Sequence, residues 1–103
     1  CYPIDIHNPT GEGTTLRRLP PDEYHEIPYR CLVPLKVDDL LVAGRCISAS
    51  FDAQSSIRVQ ANCRAFGEAA GVAAAMCAAS NTSPRDLPAD ELIENLRAQG
   101  AYV

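Results

Sequence analysis

Apolar and polar positions alternate at the start of the chain. In Tyr2-Pro3-Ile4-Asp5-Ile6-His7, Ile4 and Ile6 share one face of an extended segment, and Asp5 and His7 share the other. Asn8 to Thr14 holds Asn, Pro and two glycines and reads as a turn-rich loop. Residues 16 to 26 are dominated by proline, charge and histidine and read as surface loop. Ile27 to Leu35 is apolar and extended. Pro28 and Pro34 bracket it, which predicts an edge strand or a strand entered from a turn. Leu40-Leu41-Val42-Ala43 is a continuous apolar run closed by Gly44, as expected of a strand buried on both faces.

The second half changes period. Asp52, Ser55 and Ser56 are candidate helix caps, and a long helix is predicted from Arg58 to Ala79. Nine of the 19 residues from Ala61 to Ala79 are alanine, and Gly67, Gly71 and Ala75 recur every four residues. Each interior glycine costs about 1 kcal/mol relative to alanine, so the stripe predicts a close neighbour packed on that face. Ser80 to Pro84 ends the helix. A second helix is predicted from Pro88 to Gln99, with Leu92, Ile93 and Leu96 as its apolar stripe and Gly100 at its end. The elements sum to an α/β chain of two or three strands, a long Ala/Gly-rich helix and a C-terminal helix. Those strands do not make a self-sufficient sheet, so partner elements outside these residues are expected.

Composition narrows the function classes. Nine basic against 13 acidic residues give a net charge of −4, and no basic cluster is present, which argues against nucleic-acid binding. The longest apolar run, Ala69 to Ala79, has 11 residues, short of the ~20 that a membrane span needs. Cys1, Cys31, Cys46, Cys63 and Cys77 are scattered without a close pair. That spacing suits neither a zinc site nor a disulfide framework and predicts small buried thiols in a reducing, cytoplasmic setting. Arg30 interrupts an apolar segment and is read as a carboxylate's ion-pair partner, ahead of the alternative that it reaches a substrate anion. No Gly-x-Ser-x-Gly elbow supports a serine hydrolase.

The constellation with most chemical content runs from Leu40 to Ala75. An apolar strand ends at Gly44, a loop follows, and a helix opens on Ser56-Ile57-Arg58. A helix start offers unpaired N–H groups and the positive end of a dipole, which suits an anion or a ring that gains negative charge. Glycine at the strand end lets a ligand reach the backbone.

The stretches Ile27 to Pro34, Val37 to Ala49, Ala53 to Val59 and Cys63 to Ala75 together resemble the C-terminal part of bacterial FAD-dependent oxidoreductases. Tyr2 to His7 is similar to the segment that precedes that part, so the resemblance covers nearly the whole chain. It implies that residues 1–103 form the C-terminal portion of such an enzyme, a fragment of an FAD-binding Rossmann-like domain. It implies that Gly44 and Arg45 lie along the ribityl or phosphate part of FAD. Ser56, Ile57 and Arg58 would then face the isoalloxazine edge with backbone groups or a guanidinium. Many related flavoproteins carry an acidic residue after this glycine, where Arg45 stands here. The Gly-x-Gly-x-x-Gly turn that grips the ADP half of FAD does not occur in the 103 residues. The implied partners are the remainder of a parent chain, a small-molecule substrate and a homo-oligomer. The parent is expected to be the active enzyme, with this fragment alone inactive and weak or silent toward FAD. The alternative is a cofactor-free packing or oligomerisation module.

Overall fold

The computed structural model describes residues 1–103. Strand β1 (Ile4–His7) pairs antiparallel with β2 (Thr14–Arg17), with Ile4 opposite Arg17, Asp5 opposite Leu16, Ile6 opposite Thr15 and His7 opposite Thr14. The connection turns on Gly11 and Gly13, both at positive φ, and is closed by Asn8 N–H to the Gly13 carbonyl at 3.2 Å. The first strand is where the alternation places it. The second lies in a stretch read as loop. All four of its residues are exposed, so it carries no hydrophobic signal and exists through its pairing.

Two expected strands do not form. Within Ile27–Leu35 the chain makes a short 3-10 turn, Tyr29–Leu32. The run Leu40–Ala43 is extended but belongs to no ladder; Val42 N–H donates to the Leu32 carbonyl at 2.8 Å. Pro28 and Pro34 have no N–H to donate, and no further strand lies beside the run to complete a ladder. Arg30 sits in the 3-10 turn, exposed and outside every ion pair, so its expected carboxylate partner is not found.

The long helix also begins differently. Helix α1 (Phe51–Ile57) starts at Ser50, whose Oγ accepts the Ala53 N–H at 3.3 Å, with Asp52 in the favourable first turn. The chain leaves helical geometry at Arg58 and Val59 and restarts as α2 (Gln60–Ser80). Asn81, in the left-handed conformation, ends α2, and its N–H returns to the Cys77 carbonyl. Helix α3 (Ala89–Ala98) falls one residue inside its predicted bounds at each end, with Asp90 and Glu91 in its first turn and Arg97 in its last.

Two small clusters make the core. Ala73, Cys77, Leu87, Leu92 and Leu96 join α2 to α3, while Leu32, Ile47, Ile57 and Phe66 join α2 to the loops and to α1. Tyr29, Leu41 and Ala69 pack against both. Burial of Cys77 pushes its thiol pKa up, with Asp39 adding to the effect. Arg85 pins the 34–38 loop by donating to the Pro34 carbonyl at 2.8 Å and reaching Asp38 at 3.4 Å. The small-residue stripe of α2 has no neighbour in this chain. Gly67, Gly71, Ala74, Ala75 and Ala78 are exposed, and a methyl group added at Gly67 or Gly71 would meet nothing within 4 Å.

The Tyr29 hydroxyl donates to the Pro84 carbonyl at 2.9 Å, tying the first loop to the α2–α3 connection. Burial, and then the Cys77 thiol, push its pKa up to about 12. The neutral phenol is therefore favoured in the folded chain. Its contribution is complete below the unfolded value of about 10 and is lost as pH rises from there toward 12. Urea denaturation across that window is expected to show falling stability, and Tyr29→Phe is expected to flatten the decline.

Candidate functional site

The site begins where the unladdered run ends. Gly44 has φ +81°, which turns the chain out of the extended segment into a 3-10 turn, Gly44–Cys46. The Cys46 thiol donates to the Ala43 carbonyl at 3.1 Å and closes that turn. Gln54, from α1, donates through Nε2 to the Arg45 carbonyl at 2.6 Å. Arg45 Nε donates to the Arg58 carbonyl at 3.1 Å, and Arg58 Nη2 donates to the Asp5 carbonyl at 3.3 Å. The Ser56 hydroxyl bonds the Tyr2 carbonyl and holds the first strand over the α1–α2 junction. A chain of main-chain contacts thus orients two guanidinium groups from three separate segments.

These contacts enclose an open cavity of about 410 Å³ lined by Tyr2, Asp5, Arg45, Arg58 and Val59. Val59 is the residue from which α2 starts, and neither a capping side chain nor a first-turn acid occupies that helix end. Neither arginine is neutralised by an ion pair. The pairs in the molecule are Asp5 with His7 at 4.0 Å, Asp52 with Arg17 at 3.7 Å and Asp38 with Arg85 at 3.4 Å. Asp5 is the only carboxylate in the wall. Its Oδ1 is buried with no hydrogen-bond donor, since His7 Nε2 at 4.0 Å is beyond bonding distance. Two cations and a helix N-terminus around one hollow suit an anionic or strongly accepting ligand.

The residues singled out from sequence separate into two groups. Arg45 and Arg58 meet in the cavity. Ser56 and Ile57 lie behind it, 3% and 4% exposed, with the Ile57 side chain in the core. The expected helix opening at Ser56-Ile57-Arg58 is corrected: these residues close α1, and α2 starts after Val59. Gly44 is half-buried beside the site and shapes the turn that carries Arg45. Tyr2, Val59 and the bracing Gln54 lie in stretches that carry the resemblance, but nothing in their residue types marks them individually. Asp5 was marked by its place opposite the apolar face of β1.

No helix is long and apolar enough to cross a membrane. His25, expected as a solvated loop residue, is half-buried. All five cysteines are free; Cys77 is buried, Cys31 and Cys63 are half-buried, and Cys1 and Cys46 are exposed. The expectation of uniformly buried thiols therefore holds for part of the set.

Gly44→Ala tests the turn. Its Cβ would meet nothing within 4 Å, so the whole penalty is the positive φ, about 1–2 kcal/mol. The unfolding free energy from denaturant titration is expected to fall by that amount, with Arg45 displaced from the cavity.

Comparison with curated proteins and with solved structures finds no match. The profile of the FAD dependent oxidoreductase family matches residues 1–97, which span both strands, the cavity and nearly all of α3. By that match the chain belongs to the FAD-dependent oxidoreductase family.

Proposed function

We propose that this chain forms one wall of the FAD site of a flavin-dependent oxidoreductase, as the C-terminal portion of the enzyme. The observation that carries the reading is the pair of un-neutralised guanidinium groups, Arg45 and Arg58, in one cavity at the start of α2. FAD carries a diphosphate and a ring rich in acceptors, so a cationic, donor-rich wall fits it. When bound, the cofactor takes electrons or a hydride from a small-molecule substrate and passes them on.

The chain's own residues divide the work. Gly44 and Arg45 lie along the ribityl or phosphate part, the glycine turning the backbone toward the ligand. Arg58 and the α2 N-terminus face the isoalloxazine edge, where positive potential favours added negative charge. Ser56 and Ile57 position that junction from behind, through the Tyr2 contact and the core.

The molecular surface supports membership of a larger folded unit. A folded monomer of 11.1 kDa exposes about 5,700 Å², whereas this chain exposes 7352 Å². Its radius of gyration, 15.4 Å, exceeds the ~13 Å of a compact chain this long. The bare Gly67–Gly71 face of α2 is the natural seat for the remaining elements of the parent. A second reading uses the same face: a cofactor-free module that self-associates through it. Sedimentation at rising concentration separates the two, since a self-associating module gains mass and a half-site awaiting its parent does not.

FAD titration followed by flavin fluorescence tests the first reading. Residues 1–103 alone are expected to bind weakly or not at all, and a longer protein that includes them is expected to bind stoichiometrically. In that longer protein, Arg58→Ala is expected to lower the flavin midpoint potential, because a cation favouring the reduced ring is gone. An unchanged potential and spectrum would remove Arg58 from the site.

A further inference from the structure

Tyr2 is fixed more firmly than its place outside the core requires. Its ring belongs to neither hydrophobic cluster, and the residue is 45% exposed. Tyr29 is the contrast: it packs against both clusters and its hydroxyl is tied to Pro84. The Tyr2 backbone is constrained from two sides all the same. Pro3 follows it, and a residue before proline is biased to extended geometry. Its carbonyl accepts the hydroxyl of Ser56, a buried residue near the end of α1. Three positions on, the Asp5 carbonyl accepts from Arg58 Nη2, so one short segment is tied twice to the α1–α2 junction. A single exposed aromatic is ordinary on a protein surface. Tyr2 instead lines the cavity that holds Arg45 and Arg58, two guanidinium groups outside every ion pair.

The lining residues differ in what they offer a ligand. Arg45 and Arg58 supply positive charge and hydrogen-bond donors. Tyr2 and Val59 are the two apolar residues of the wall, and Tyr2 alone has a flat π face. Charge and an aromatic face in one hollow select a ligand that is planar, aromatic and rich in acceptors. The reading of the cavity as a flavin site, on which this inference rests, supplies such a group in the isoalloxazine ring. The ribityl chain and the diphosphate have no π face to offer. We propose that the phenol ring of Tyr2 is the surface on which the isoalloxazine lies. The Ser56 bond holds Tyr2 at the α1–α2 junction, where Arg58 and Val59 also stand, so the stacking face and the edge-facing guanidinium are placed together. Tyr2 contributes affinity through its face, and its hydroxyl is dispensable.

The test uses the intact flavoprotein that carries these residues, stripped of cofactor, with FAD and ADP as separate ligands. ADP keeps the adenine and the diphosphate and lacks the isoalloxazine. Tyr2→Leu removes the π face and leaves an apolar side chain, whereas Tyr2→Phe keeps the face and removes the hydroxyl. Tyr2→Leu is expected to weaken FAD binding about tenfold, the scale of one lost stacking contact. Its affinity for ADP is expected to stay within about twofold of wild type, and Tyr2→Phe is expected to bind FAD within about twofold of wild type. The unfolding midpoint of the cofactor-free protein is expected to be the same in all three, because the side chain lies outside both clusters. FAD binding undiminished in Tyr2→Leu would overturn the assignment while leaving the flavin site intact. So would equal losses for FAD and ADP, a loss that Tyr2→Phe shares, or a loss that comes with a lower midpoint. A wild-type protein that takes up no FAD would overturn the flavin reading itself, and the role of Tyr2 with it.

Discussion

One edge of α2 organises everything else in the molecule. Phe66 reaches into the cluster with Leu32, Ile47 and Ile57, and Ala73 and Cys77 reach into the cluster with Leu87, Leu92 and Leu96. The two clusters share no buried residue, so a single rigid helix keeps them in register. Tyr29, Leu41 and Ala69 bridge them as half-buried neighbours. Only 12 of 103 residues are buried, so the loops depend on polar ties to hold their course. Tyr29 to Pro84 and Arg85 to the Pro34 carbonyl are the long-range ties at one end, and Ser56 to Tyr2 and Arg58 to the Asp5 carbonyl are the ties at the other.

The same helix sets the electrostatics of the cavity. The break at Arg58 and Val59 turns one continuous helix into two and exposes a fresh N-terminus where the first strand crosses. An unbroken helix over these residues would have satisfied its N–H groups internally and offered no such end. The break also frees the Arg58 carbonyl, which a continuing helix would have used, to receive Arg45. Local irregularity in α1–α2 and the gathering of two like charges have one cause.

Much of this was legible in the residues, for identifiable reasons. Helix α3 has a sharp apolar stripe with proline and glycine at its ends, and its bounds emerge almost unchanged. Arg45 and Arg58 were marked by family resemblance and do meet, though 13 positions apart. The strand readings at Ile27–Leu35 and Leu40–Ala43 misled because an apolar run specifies burial, while a strand also requires a neighbour to pair with. Strand β2 was invisible because Thr14–Arg17 buries nothing. The break before α2 has no glycine or proline to announce it, and the group that meets the Arg58 carbonyl there is Arg45, from a separate segment. Asp5 could be seen as polar, but its buried oxygen without a donor is a property of three segments meeting.

The composition of α2 bears on the chain when it is not folded. Beyond Glu68 the helix has no charged side chain, and from Val72 to Ser80 it is mostly alanine, with no glycine or proline. Alanine forms helix with the least entropic loss of any residue. Once the clusters around it have melted, this stretch is where a transient helical turn costs the chain least. Nine residues are too few to hold a helix unaided. The denatured ensemble is therefore biased toward helix, without being ordered, at the segment that later anchors both cores.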